Sequence, residues 1–146
     1  MFAAIDIANY FLCQTDEDAG DLISNLKLQK LLYYAQGFHL AVYGSKLFRE
    51  DIKAWEHGPV VPEAYHQFKI YGFSAIPVPE EMDFSTFSSQ ELSELLDEVY
   101  AVYGQFSAWK LRNMTHEEAP WKDTPLNEVI TPQKLQAYFK TQLASK

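Results

Sequence analysis

The stretch of residues 25–43 constrains the fold of this chain more than any other. Apolar side chains recur there every three or four residues, which is the period of an α-helix with one apolar face. Ser24 precedes the stretch as an N-cap, and Gly44 follows it where a left-handed C-cap is favoured. The pattern therefore predicts one long helix bounded at both ends. The side chains that fall off its apolar stripe are Lys27, Lys30, Tyr33 and Gln36.

The rest of the chain contains further segments with helical period, separated by glycine and proline breaks. Residues 48–57 alternate apolar and charged side chains, which predicts a short half-exposed strand, and a second short strand is predicted near Ile76–Val78. Residues 116–130 are expected to be irregular. The sequence thus predicts a mainly α fold, a single compact domain over residues 1–146 with about six helices and at most a small β-hairpin. Its core is expected between the second, third and fourth helices. Besides 25–43, the helices are predicted at 2–14, 62–72, 89–103, 107–114 and from Pro132 onwards.

The charge of the chain disfavours nucleic acid as a partner. Twelve basic and 20 acidic residues give a net charge of −8, whereas proteins that neutralise phosphates concentrate Lys and Arg on one face. The acids are gathered at residues 16–21 and 77–104. Such acidic faces keep a protein soluble, and they can also attract a basic protein partner.

Two further features indicate where the protein works. Cys13 is the single cysteine, so no disulfide within the chain is possible, which favours a reducing compartment. No apolar run approaches the length of a membrane-spanning helix, and no basic segment precedes an apolar one at the N-terminus. We therefore expect a cytoplasmic protein that does not span a membrane.

The residue types that carry chemistry do not occur in catalytic patterns. The histidines lack metal-binding spacing, Cys13 lies beside acids that oppose a thiolate, and no glycine-rich phosphate loop is present. We expect no catalytic residue, no metal and no cofactor. A metal-dependent hydrolase is the weaker alternative, and its candidate residues are His57, His116 and Glu117.

Aromatic residues are unusually frequent, at 15% of the chain. Tyr33 and Tyr34 are adjacent on the predicted long helix, so we expect that they do not both face the same core. Tyrosine is enriched in protein interfaces because it offers a large contact area and a polar tip. The alternative is that both rings pack in the core with their hydroxyls at its edge.

Three ordered motifs give the chain a resemblance to a known family. They are Leu28–Gly37 with the preceding Ser24–Lys27, then Trp55–Tyr65, and then Thr115–Trp121. Together they resemble the Panacea domain, the SocA-like antitoxin domain that is also met as the GepA-like phage-associated protein. The resemblance extends over about residues 3–140.

The resemblance implies an antitoxin that neutralises the toxin encoded by a neighbouring gene through direct protein binding. In one branch of the family the antitoxin delivers its toxin to a AAA+ protease. The alternative is a prophage-encoded regulatory or ligand-binding module. Trp55 and Trp121 are expected to support the fold as well, while Lys30, Tyr34 and His57 are expected to be direct contacts. The partner-binding residues that the motifs imply are Lys27, Lys30, Tyr33, Tyr34, Gln36, Trp55, His57, Gly58, Pro59, His116 and Trp121.

Overall fold

The computed structural model describes residues 1–15, 22–79 and 90–143; the acidic block at 16–21 and residues 80–89 lie outside these ranges. Within them the chain forms seven α-helices and one three-stranded sheet, which confirms the mainly α fold with a small hairpin. The helices are α1 (Ala4–Cys13), α2 (Asn25–Tyr43), α3 (Pro62–Phe68), α4 (Gln90–Tyr103), α5 (Ala108–His116), α6 (Ala119–Lys122) and α7 (Pro132–Leu143), and the strands are β1 (Ile52–Trp55), β2 (Gly58–Val60) and β3 (Val129–Ile130).

The long helix α2 has the predicted bounds, but it is not amphipathic. The Ser24 hydroxyl accepts a hydrogen bond from the Lys27 amide at 3.3 Å, and Gly44 ends the helix at a φ of 74°. Every residue from Lys27 to Gly37 is buried, so the prediction that polar side chains lie off an apolar face is wrong. The reason is that α1, α4, α5 and α7 pack around α2 from several sides. Its polar side chains therefore need hydrogen-bond partners inside the protein.

The core is centred on α2 and α7 rather than on α2, α3 and α4 as expected. The Phe139 ring of α7 lies edge-on to Tyr33 and Phe38, with ring centroids 5.4 and 4.8 Å apart. α4 also packs on α2, whereas the short α3 buries only Ala64 and Phe68. The last helix thus contributes more of the packing around α2 than its sequence indicated.

The sheet holds a tight turn against α2. Its strand order is β2-β1-β3, and Trp55 pairs with Gly58 across the β1–β2 hairpin. The strand predicted within residues 48–57 is confirmed, whereas the one predicted at Ile76–Val78 is wrong, because Ile76 instead donates its amide to the Ile23 carbonyl in a loop. Residues 116–130, expected to be irregular, contain α6 and β3, each too short to leave a periodic signal.

Replacing Gly58 by alanine is expected to destabilise the protein by about 2–3 kcal/mol. Gly58 has a φ of 110°, and an added Cβ would lie 2.6 Å from Lys30 Cε and 2.8 Å from Thr115 Oγ1. Gly72→Ala is the matched control, since Gly72 has a φ of 58° but no atom within 4 Å of the added Cβ. Urea denaturation should place Gly58→Ala below Gly72→Ala in stability. Equal losses would contradict the crowding at the turn.

Candidate functional site

The structure brings the three sequence motifs together at one place, where the β1–β2 turn lies between α2 and the α5–α6 segment. From α2, Lys30 Nζ donates a hydrogen bond to the Pro59 carbonyl oxygen at 3.0 Å. From α6, Trp121 Nε1 donates to the Trp55 carbonyl oxygen at 2.8 Å. The turn is therefore held from both sides by side chains of the other two motifs.

A third contact links the first motif to the third: the Glu118 carboxylate accepts hydrogen bonds from two tyrosines of α2. Tyr33 and Tyr34 donate their hydroxyls to the two oxygens of Glu118, at 2.8 and 2.9 Å. Burial raises the pKa of Glu118 to about 7, and the two hydroxyl donors oppose that rise. Burial and the nearby Glu118 carboxylate raise the pKa of both tyrosines. Both adjacent rings therefore face the interior, contrary to the expectation from their spacing.

Lys30 is a buried amine that forms no ion pair with any carboxylate in the part of the chain that the structure describes. Its side chain is 1% exposed. Among the described residues, no carboxylate oxygen lies within 4 Å of its Nζ. Burial, and to a smaller extent the positive charge of Arg112, lower the pKa of Lys30 to about 7. The protein thus holds a potential cation whose charge no described carboxylate neutralises.

Three other basic side chains surround this amine, and with Lys30 they form the group that we name the basic cluster: Lys30, His57, Arg112 and His116. Arg112 Nε donates to His57 Nδ1 at 3.1 Å, so that nitrogen carries no proton. The His116 ring stacks on Trp121 with centroids 4.0 Å apart. Its Nε2 is buried without a hydrogen-bond partner among the described residues. Burial, and then the charge of Arg112, lower the pKa of His116.

A cleft of about 540 Å³ opens beside the basic cluster. Lys30 and His57 both line it. Trp55, Tyr65 and Phe73 contribute aromatic surface, and the Trp55 and Tyr65 rings meet edge-on at 5.1 Å. Phe73 is 97% exposed. The cleft therefore combines apolar walls with a buried amine.

Two of the predicted site residues lie away from this place. Lys27 Nζ donates to the Gly104 carbonyl oxygen at 2.6 Å, and Gln36 Nε2 donates to the Phe48 carbonyl oxygen at 2.9 Å. Both side chains are buried, as are those of Tyr33 and Tyr34. A partner-binding role for these four residues stays a prediction, and the structure shows their internal hydrogen bonds.

The other predicted residues lie around the β1–β2 turn. Gly58 and Pro59 are buried within it, and His57 is exposed at its tip. The side chains of Trp55, His116 and Trp121 are partly exposed around it.

Sequence reasoning missed Glu118 and Arg112. Glu118 belongs to the third motif, and its position two residues after His116 was the available signal. Arg112 lies in α5 before that motif, and nothing in the sequence indicated that it would reach His57 from 55 residues away. The contact of Arg112 with His57 depends on how α5 packs beside the β1–β2 hairpin.

The described residues do not form the metal cluster that the hydrolase alternative would use. Within residues 1–15, 22–79 and 90–143, no three His, Cys, Asp or Glu side chains converge as a metal site requires. Glu117, the third residue of that hypothesis, is exposed at the end of α5. Across the same residues, no helix has the length and hydropathy needed to cross a bilayer.

The fold and the three converging motifs define the class of this protein. The family model "Antitoxin SocA-like, Panacea domain" matches residues 28–122, so the chain belongs to that family. The matched range begins in α2 and ends with α6, and it includes the whole basic cluster.

One curated relative is Antitoxin SocA of Caulobacter vibrioides (strain NA1000 / CB15N). It is 33% identical to this chain over 109 residues, which cover 68% of this chain and 58% of the relative. The alignment thus spans little more than half of the relative's length. No solved structure matches the chain.

Proposed function

We propose that this chain is a single-domain cytoplasmic antitoxin that binds and neutralises a protein toxin encoded by an adjacent gene. The observation that carries the proposal is membership of the SocA-like antitoxin family across all three motifs, residues 28–122. The relative named Antitoxin SocA supports it. The proposed action is non-enzymatic and needs no cofactor, because neutralisation by binding requires a complementary surface and no reacting group.

The exposed face of α4 suits a basic partner. Glu91, Glu94 and Glu98 point outward along this helix, and the whole chain carries a net charge of −8. A surface with one sign of charge accelerates encounter with a partner of the opposite sign and raises specificity. We therefore propose that α4 faces a basic region of the toxin.

The experiment uses the two genes that flank the one encoding this chain. Each is induced alone and then together with this chain, and growth is followed. We expect arrest from one neighbour and recovery on co-expression. If neither neighbour arrests growth, the antitoxin proposal fails, and the regulatory or ligand-binding module becomes the better interpretation.

The same strains separate direct binding from delivery to a AAA+ protease. If binding alone neutralises the toxin, the two proteins co-purify and the lifetime of the toxin is unchanged. If delivery operates, the toxin disappears faster when this chain is present, and it persists in a strain that lacks the protease. Both outcomes agree with an antitoxin, and they assign its route.

Charge reversal on α4 is expected to weaken protection. In the double variant Glu91→Lys and Glu94→Lys, repulsion should lower the association rate with a basic toxin, and raising the salt concentration should reduce the difference from wild type. The double variant Asp123→Lys and Glu128→Lys is the control, since it changes the net charge by the same amount and both residues are exposed but lie between α6 and β3. Growth recovery and surface-plasmon association rates measure the effect. Equal losses from both variants would mean that net charge matters and α4 does not.

A further inference from the structure

We propose that the cleft beside Lys30 binds an acidic side chain of the partner polypeptide, while a neighbouring bulky apolar side chain of that partner packs on Trp55 and Tyr65. This inference rests on the proposed function and specifies the chemistry of the toxin segment. It assigns the cleft a role in setting the register of the complex, whereas the acidic face of α4 attracts the toxin.

The first support is the unused hydrogen-bonding capacity of Lys30. An ammonium group has three N–H donors, and among the described residues Nζ makes one hydrogen bond, to the Pro59 carbonyl oxygen. A buried amine of this kind is usually paired with a carboxylate, because burial of an unpaired charge is unfavourable. Since Lys30 lines the cleft, a carboxylate that enters there would supply the missing partner.

The second support is the arrangement of the turn above this amine. Gly58 permits Lys30 to approach so closely that a Cβ at position 58 would lie 3.2 Å from Nζ. His57, the residue before Gly58, accepts a hydrogen bond from Arg112 at Nδ1, which leaves its Nε2 as a donor. Lys30 and His57, which belong to different motifs, thus line the same cleft.

The third support is the repulsion within the basic cluster. Arg112 has no carboxylate oxygen within 4 Å among the described residues, as is the case for Lys30. An anion in the cleft would relieve repulsion among these groups, and so would bind more strongly than an uncharged group of the same shape. In a chain with a net charge of −8, this local group of basic side chains favours an anion at the cleft.

The walls of the cleft favour a peptide carboxylate over a phosphate. Trp55, Tyr65 and Phe73 offer apolar surface beside the amine, and the volume of about 540 Å³ is sufficient for a few residues of extended chain. Phosphate sites in proteins present several backbone amides or arginine forks. The basic residues that line this cleft are Lys30, His57 and Lys69, with no arginine among the lining residues, and the Glu56 carboxylate lines it too. An acidic residue beside a bulky apolar residue matches both the charge and the walls.

Titration with blocked tripeptides tests this chemistry directly. The probe is acetyl-Leu-Phe-Glu-amide, the uncharged control is acetyl-Leu-Phe-Gln-amide, and binding is followed by NMR at Trp55, His57 and Tyr65. We expect saturable shifts at these residues and an affinity for the Glu peptide about tenfold above that for the Gln peptide, as one charge-assisted interaction can give. Equal affinities, or no saturable shift with either peptide, overturn the inference.

Two further ligands distinguish other sources of negative charge. Inorganic phosphate that binds at the same residues more tightly than the Glu peptide would overturn the inference in favour of a phosphate site. Acetyl-Leu-Phe with a free C-terminal carboxylate should bind more weakly than the Glu peptide. Tighter binding of that free acid would assign the cleft to a chain terminus and overturn the side-chain assignment.

Variants connect the binding to Lys30. In Lys30→Met, which preserves the length of the side chain, the preference for the Glu peptide should disappear, while Lys140→Met, on the exposed face of α7, should retain it. His57→Glu places a carboxylate on an exposed residue of the cleft and should repel the Glu peptide more than the Gln peptide. This second variant keeps the inference testable if Lys30→Met does not fold, and a retained preference in His57→Glu would count against it.

Growth protection separates this inference from the proposed function. If a flanking gene is toxic and Lys30→Met folds yet protects as well as wild type, the inference fails and the antitoxin function stands. If no flanking gene is toxic, the proposed function fails, and the peptide titration still decides the chemistry of the cleft. Loss of protection in Lys30→Met but not in Lys140→Met supports both.

Discussion

Gly37→Ala is expected to destabilise the protein by about 2–3 kcal/mol, although alanine favours helices more than glycine does. A Cβ at Gly37 would overlap the Phe139 ring. That ring is fully buried and packs against Tyr33, Tyr34 and Phe38, so it has little room to move. Urea denaturation followed by circular dichroism measures the loss of unfolding free energy. This loss should be at least as large as that of Gly58→Ala.

A compensating variant tests the cause. Phe139→Leu removes part of the ring that the new methyl group would meet, so the double variant should be more stable than the sum of the two single losses indicates. Additive losses would show that the methyl group at position 37 does not meet Phe139. Such a result would contradict the close approach of α2 and α7 at this position.

The unfolding free energy is expected to fall between about pH 4.5 and pH 7 because of Glu118. Its pKa is 4.5 as the ordinary value and about 7 in the folded protein. The folded state therefore holds this proton more tightly, so the associated stability is present below pH 4.5 and is lost as the pH rises through 7. Over this pH range the titration of Glu118 should lower the unfolding free energy by roughly 3 kcal/mol.

Lys30 contributes the opposite slope above neutral pH. Its pKa falls from 10.5 to about 7 on folding, so the stability associated with the neutral amine is present above pH 10.5 and is lost as the pH falls through 7. Between pH 10.5 and pH 7 the titration of Lys30 should lower the unfolding free energy by roughly 5 kcal/mol. Together the two groups place a minimum of stability near pH 7.

Difference measurements isolate each group from the other titrating residues. Glu118→Gln keeps an acceptor for one tyrosine hydroxyl but cannot ionise, so its stability relative to wild type should rise between pH 4.5 and 7. Lys30→Met should gain relative stability as the pH falls from 10.5 to 7. Urea denaturation across this pH range measures both, and a flat difference for either variant would contradict the burial of that group.

The energetics of Lys30 bear on its role. A buried amine that pairs with none of the described carboxylates lowers stability at neutral pH, and methionine of similar length would remove that cost. A group that costs stability in this way is expected where binding requires it, since functional sites commonly sacrifice stability. If Lys30→Met is more stable than wild type and loses the preference for the Glu peptide, then Lys30 both lowers stability and contributes to binding.

Several elements were readable from the chain because their signals are local. The Ser24 N-cap and the Gly44 C-cap lie within a few residues of the helix that they bound, and α2 has the predicted limits. The strand within residues 48–57 was readable from its alternation, whereas α6 and β3 are too short to show a period. The three motifs identified the family from residue identity alone, and the match over residues 28–122 confirmed it.

The sequence by itself determined the longer helices, the strand of the hairpin within residues 48–57 and the family, since capping, periodicity and motif identity depend on neighbours along the chain. Only the tertiary structure decided which side of each helix is inside. Tyr33 and Tyr34 both reach Glu118, 85 and 84 residues away, because other helices enclose α2. Burial and pairing are properties of contacts between distant segments, so the burial of Lys30 and the cleft beside it became visible only when those segments met.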